Sequence, residues 1–109
     1  MLMRNKKIIP PIASRYADEV RHKLGRHVRG IILFGSQARG DAADSSDYDF
    51  IVILDKYDRP LREAIVDAGT DMLNETDALC AALVYGADQW NRVKESPLGW
   101  NVQREGIEL

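Results

Sequence analysis

The 109-residue chain has a single cysteine, Cys80. One thiol excludes an internal disulfide framework and any zinc site built on a Cys-x-x-Cys pair. No apolar run reaches the roughly 18 residues of a membrane-crossing helix. The first seven residues are polar and basic and lack the apolar segment of a secretory signal. An excess of one charge is also missing. Fifteen basic and 17 acidic residues leave a net charge of −2, so nothing draws the whole chain to nucleic acid or to an anionic membrane. Internal repeats and low-complexity tracts are absent. What remains is an ordinary globular balance of 45% apolar and 29% charged residues. The expectation is one domain over residues 1–109, in the cytoplasm, with enough chain to bury about two-thirds of its unfolded surface.

Pro10 and Pro11 close a short leading segment. Ile12, Tyr16, Val20 and Leu24 then recur every four residues, which predicts a helix stopped by Gly25. Residues 28–34 contain the run Ile31-Ile32-Leu33-Phe34 and read as a buried strand that halts at Gly35-Ser36. Residues 37–46 are small and polar and suit a short helix plus a loop. A second strand, 48–54, is continuously apolar after Asp49. Asp58 and Pro60 open a helix of about four turns with Leu61, Ile65, Ala68 and Met72 on one face. A third strand over 78–85 and two short helical pieces, 87–95 and 97–105, complete the chain, with Gly106 as a stop. This alternation predicts an α/β (α+β) sheet backed by helices.

The chemistry concentrates at Gly35-Ser36, followed after ten residues by Asp47-Tyr48-Asp49. Asp47 and Asp49 are two apart at a strand entrance, so their side chains point to one face. Two such carboxylates repel unless a cation lies between them, and magnesium favours carboxylate and phosphate oxygens. Alone, the pair also reads as two solvated acids at a strand start. Glycine after an apolar strand lets a backbone approach a phosphate, and the Ser36 hydroxyl with the following N–H groups can bond its oxygens. Alone, Gly-Ser also reads as a strand-to-helix turn with Ser36 as N-cap. Together, phosphate donors on one strand end and metal ligands on the next describe a nucleoside triphosphate–magnesium site.

The segment Leu33-Phe34-Gly35-Ser36-Gln37-Ala38-Arg39-Gly40, with Ser46-Asp47-Tyr48-Asp49 after it, resembles the DNA polymerase β-type nucleotidyltransferase superfamily. It is most similar to the minimal nucleotidyltransferase (MNT) group, small proteins often paired with HEPN-domain toxins. The closing Ser96-Pro97-Leu98 and Arg104-Glu105-Gly106-Ile107 also look like the tail of one MNT subgroup. The resemblance implies a mixed, about four-stranded sheet with helices packed against it. It implies that Gly35 and Ser36 hold the β- and γ-phosphates of ATP or another NTP, and that Asp47 and Asp49 ligate two Mg2+ ions. Arg39 would either pair with a phosphate or brace the acidic loop. A third carboxylate is usual in the superfamily, on a later strand. Here that strand has no acid inside it, and Asp77, just before it, is the candidate; otherwise it is a strand-entry acid.

Other residues suit plain roles. His22 and His27 have no metal-ligand partner at useful spacing, and Cys80 reads as an inert thiol in an apolar strand. Arg21, Lys23, Arg26 and Arg29 suit a solvated face at the end of the first helix. Trp90 and Trp100 are expected to dock helices, the alternative being an aromatic patch for a partner.

The resemblance thus implies an enzyme moving a nucleoside monophosphate, AMP from ATP, to a partner protein that would be a HEPN toxin. The alternatives are an inactive MNT-like antitoxin acting by contact, and the nucleotide-binding subunit of a two-chain enzyme for a small molecule.

Overall fold

The computed structural model describes residues 8–41 and 47–109. The loop portion at 42–46, including Ser46, lies outside them. Helix α1 spans Pro11–Leu24. Proline suits its first turn because that N–H has no helical partner. Ala13, Tyr16, Ala17, Val20 and Leu24 are its buried face, and Arg21, His22 and Lys23 sit in the last turn, where cations favour the helix dipole. Gly25 ends it at φ 56°. A 3-10 turn, Gly25–His27, leads into strand β1, Val28–Phe34. Helix α2 is the short Ser36–Arg39, and strand β2 is Tyr48–Leu54. Helix α3, Arg59–Thr76, connects β2 to strand β3, Cys80–Gly86. Helices α4, Ala87–Val93, and α5, Pro97–Glu105, precede a two-residue strand β4, Ile107–Glu108.

The strands form one sheet in the order β3-β2-β1-β4. β1 runs antiparallel to β2 and to β4, while β2 and β3 are parallel. A parallel neighbour needs a crossover, and the 18 residues of α3 supply it. The expected mixed four-stranded sheet is therefore present. β4 was not legible from the residues because two positions carry no period.

β2 explains its own apolar run. Phe50, Val52 and Leu54 join Ile31, Leu33, Tyr16, Ile65 and Met72 in a core under α1 and α3. Tyr16 stacks on Phe50 with ring centroids 4.2 Å apart. Ile51 and Ile53 face the other way, into a smaller cluster with Ile32, Val102, Phe34, Tyr85 and Trp90. A strand covered on both faces has no polar positions to alternate. Trp90 docks as expected, beside Tyr85. Trp100 does not: it is 62% exposed. On α5 only Gly99 and Val102 are buried, and Trp100 lies off that face. Among the described residues no helix is long and apolar enough to cross a membrane.

Candidate active site

The two halves of the motif meet at one end of the β1–β2 pair. Phe34 is the register partner of Asp49, so the residue after β1 and the residue opening β2 are neighbours in space. Gly35 follows with φ 77° and ψ −160°, a conformation open almost only to glycine. A Cβ added there would lie 2.9 Å from Asp49 Oδ2. The carboxylate thus rests against bare backbone, and this contact fixes why position 35 carries no side chain. The chain then turns into α2, where the Ala38 and Arg39 N–H groups both donate to the Gly35 carbonyl at 3.1 Å. Ser36 opens the helix after the N-cap Gly35, and among the described residues no side chain caps its N-terminus.

Asp47 is exposed and Asp49 half-buried, as a strand entrance requires. Burial raises the Asp49 carboxyl above its ordinary range, and the Asp47 charge raises it further. Two like charges thus sit together beside the turn, with no ion pair to either among the described residues. A cation placed there relieves both causes at once. The donor set, two carboxylates beside a close-approach glycine, fits magnesium with a phosphate chain.

Arg39 points away from this centre. Its Nε donates to Asp41 and its Nη1 to Glu105, each at 3.2 Å. It ties α2 to the end of α5. Glu105 was not anticipated as its partner, since 66 residues separate the two and no local pattern connects them. Asp77 is the C-cap of α3 at φ 61°, with its N–H bonded to Leu73 O at 2.9 Å. Left-handed backbone is commoner for Asp than for most residues. On β3 the position level with Asp49 is Ala81. Among the described residues no three acids, histidines or cysteines are grouped to hold a metal ion, so Asp77 is not gathered with Asp47 and Asp49. Cys80 remains a protonated thiol at neutral pH, because burial pushes it up to about 11.

A family model described as the nucleotidyltransferase domain matches residues 13–97. The chain belongs to this nucleotidyltransferase family. The match contains the Gly-Ser turn, the acidic pair and all of β3. A protein of Methanocaldococcus jannaschii, MJ0604, named as a candidate protein adenylyltransferase, is 27% identical over 96 residues, covering 87% of each chain. A toxin–antitoxin structure with AMP-PNP superposes with a TM-score of 0.61 at 19% identity, over 87% of this chain and 69% of that one. A variant of the toxin–antitoxin pair MntA–HpeT gives a TM-score of 0.57 at 15% identity, again over 87% and 69%. At these identities the solved structures speak to the fold. The nucleotidyltransferase fold and enzyme class follow from the family and from the relative named for adenylyl transfer.

Proposed function

We propose that this nucleotidyltransferase moves AMP from ATP to a hydroxyl of a partner protein, in the manner of an MNT antitoxin acting on a HEPN toxin in the cytoplasm. The observation that carries the reading is the contact between the Gly35 backbone and the Asp49 carboxylate, next to a second acid and the Ser36 turn. Glycine at this place allows a triphosphate to lie against backbone, with the Ser36 hydroxyl and adjacent amides as donors. Asp47 and Asp49 would hold Mg2+. Bound there, the metal would offset charge on the α-phosphate and on the departing pyrophosphate. The acceptor oxygen bonds to the α-phosphorus, the bond to the β-phosphate oxygen breaks, and the acceptor proton leaves to a base. Arg39, paired with Asp41 and Glu105, ties α2 to the end of α5.

The acceptor assignment is supported by a relative named for protein adenylyl transfer and by toxin–antitoxin neighbours, one of them with AMP-PNP. A second reading, neutralisation by contact without chemistry, is favoured by one observation: among the described residues no third acid joins Asp47 and Asp49. Single-turnover transfer of labelled AMP to the co-purifying partner separates the two. The transfer reading expects label on the partner. Asp77 stays the candidate for activating the acceptor although it caps α3 apart from the pair, and its variant tests that role. Asp77→Asn is then expected to bind ATP normally and transfer about 10²–10⁴ times more slowly. An unlabelled but tightly bound partner overturns the transfer reading. An Asp77→Asn rate equal to wild type makes Asp77 a helix cap alone.

A further inference from the structure

β3 lies at the edge of the sheet, and among the described residues no strand pairs with its outer side. Proteins blunt such edges with charge, proline or a cover, since exposed N–H and C=O groups recruit other strands. Among the described residues this edge has none of the usual guards. Residues 78–87 contain no charged side chain and no proline. Leu79 is 53% and Leu83 43% exposed. Beside the strand runs an open groove of about 300 Å³, walled by α3 through Val66, Gly69, Thr70 and Leu73. Val66 and Leu73 are large, apolar and exposed. α3 thus has a second apolar stripe next to the one that faces the core.

We propose that this edge and stripe form a two-fold interface with a second copy of the same chain, antiparallel β3 against β3. What selects a copy over another partner is that the surface reads alike in both directions. Leu79-Cys80-Ala81-Ala82-Leu83 is large at its ends and small between. With the axis through Ala81, Leu79 of one copy lies beside Leu83 of the other. The backbone agrees. Leu79 O accepts from Tyr48 N at 2.9 Å, so positions 79, 81 and 83 turn their peptide groups to β2. Cys80 and Ala82 turn theirs outward. Cys80 then faces Ala82 of the second copy as a hydrogen-bonded pair, while Ala81 meets Ala81 and Leu79 meets Leu83 at the closer, non-bonded spacing.

Charge on α3 follows the same symmetry. Its exposed start carries Arg59, paired with Glu63, and Arg62, which lines the groove, and its end carries Glu75 and Asp77. Two antiparallel copies of the helix bring the basic start of each to the acidic end of the other. The register of β2 and β3 places Asp49 level with Ala81. The two Asp49 residues would then lie three strand spacings apart on one face of a continuous sheet, roughly 14 Å. The pairing does not depend on the acceptor proposed above.

Sedimentation equilibrium of the full chain tests it. Wild type is expected at twice the 12.3 kDa chain mass. Leu83→Lys sets a cation against an apolar neighbour, and Ala82→Pro removes an outward N–H without touching the bonds to β2. Each is expected to weaken the dimer at least about 100-fold, with the circular dichroism spectrum unchanged. Arg62→Glu, on the groove beside β3, reverses one charge in each of two symmetric contacts and is expected to weaken it about ten-fold at low salt. A wild-type monomer at every concentration overturns the proposal. So does a dimer of unchanged affinity in either folded β3 variant. AMP transfer by a monomeric variant leaves the function above intact, so the two proposals fail separately.

Discussion

The β1–β2 pair has an aspartate at each end of β2, and the two ends treat it oppositely. At one end Asp49 lies against the Gly35 backbone with Asp47 nearby, and burial together with that like charge raises its carboxyl. At the other end Asp55 follows β2. Burial pulls its carboxyl up as well, but the bond from His27, the Lys56 N–H and the Arg29 charge outweigh it and hold Asp55 below the ordinary range. His27 Nδ1 lies 3.1 Å from Asp55 Oδ2, and the Asp55 N–H donates to the His27 carbonyl at 2.9 Å. One end is a closed structural clasp whose charges already have partners. The other sets two like charges together with no cation beside them among the described residues, which costs stability and leaves a place for a cation. On the proposed reading, the same strand pair separates holding from chemistry by the sign of the neighbours.

The largest effect that sharpens this contrast is on turnover. Asp49→Asn is expected to reduce AMP transfer by more than about 100-fold, since even groups that merely orient metal ligands are worth 10–100-fold. Asp55→Asn should transfer at the wild-type rate. Initial rates with saturating partner check both, and loss of activity in Asp55→Asn alone would reverse the roles of the two ends.

Next come the two glycines flanking α2. Gly35→Ala meets Asp49 Oδ2 at 2.9 Å and takes a backbone region that costs roughly 1–3 kcal/mol outside glycine. Gly40→Ala, at φ 82° with nothing within 4 Å, should cost only about 1 kcal/mol of left-handed strain. Urea unfolding is expected to rank Gly35→Ala as the less stable, and it alone should lose triphosphate affinity.

The smallest effect is a difference in sign. In the metal-free protein the raised carboxyl of Asp49 is stabilising when protonated, and that contribution is lost as pH rises through its folded value. At neutral pH Asp49→Asn should therefore melt slightly higher than wild type. The depressed carboxyl of Asp55 is stabilising when ionised, a contribution lost as pH falls through its folded value. Asp55→Asn should melt lower at neutral pH. Both gaps should close toward strong acid, below the usual carboxylate range of about 4. Thermal melts in chelator across pH measure all three proteins.

How much of this was legible in the sequence follows from where the signals are local. α1, β1, β2 and α5 announce themselves through period, proline and glycine, and their positions agree with those expected. α3 runs to Thr76, longer than about four turns, because its last turn carries no periodic apolar residue beyond Met72. β3 starts later than expected, at Cys80, since Asp77 ends the helix in a left-handed turn that the strand must first leave. The Gly-Ser and Asp-x-Asp spacing marked the site, because both halves lie on adjoining strand ends. Trp100 misled: an aromatic in a short helix is a weak guide to which face is buried. The contact of Arg39 with Glu105 is set by the return of the chain beside α2, which no local pattern records.

The central claim is that the Gly35-Ser36 turn and the Asp47–Asp49 pair form one magnesium–triphosphate site. Isothermal titration of ATP, with and without Mg2+, into wild type and Asp47→Asn/Asp49→Asn tests it most directly. The expected result is magnesium-dependent binding by wild type and none by the folded double variant. Undiminished, magnesium-dependent binding by the double variant would contradict the claim.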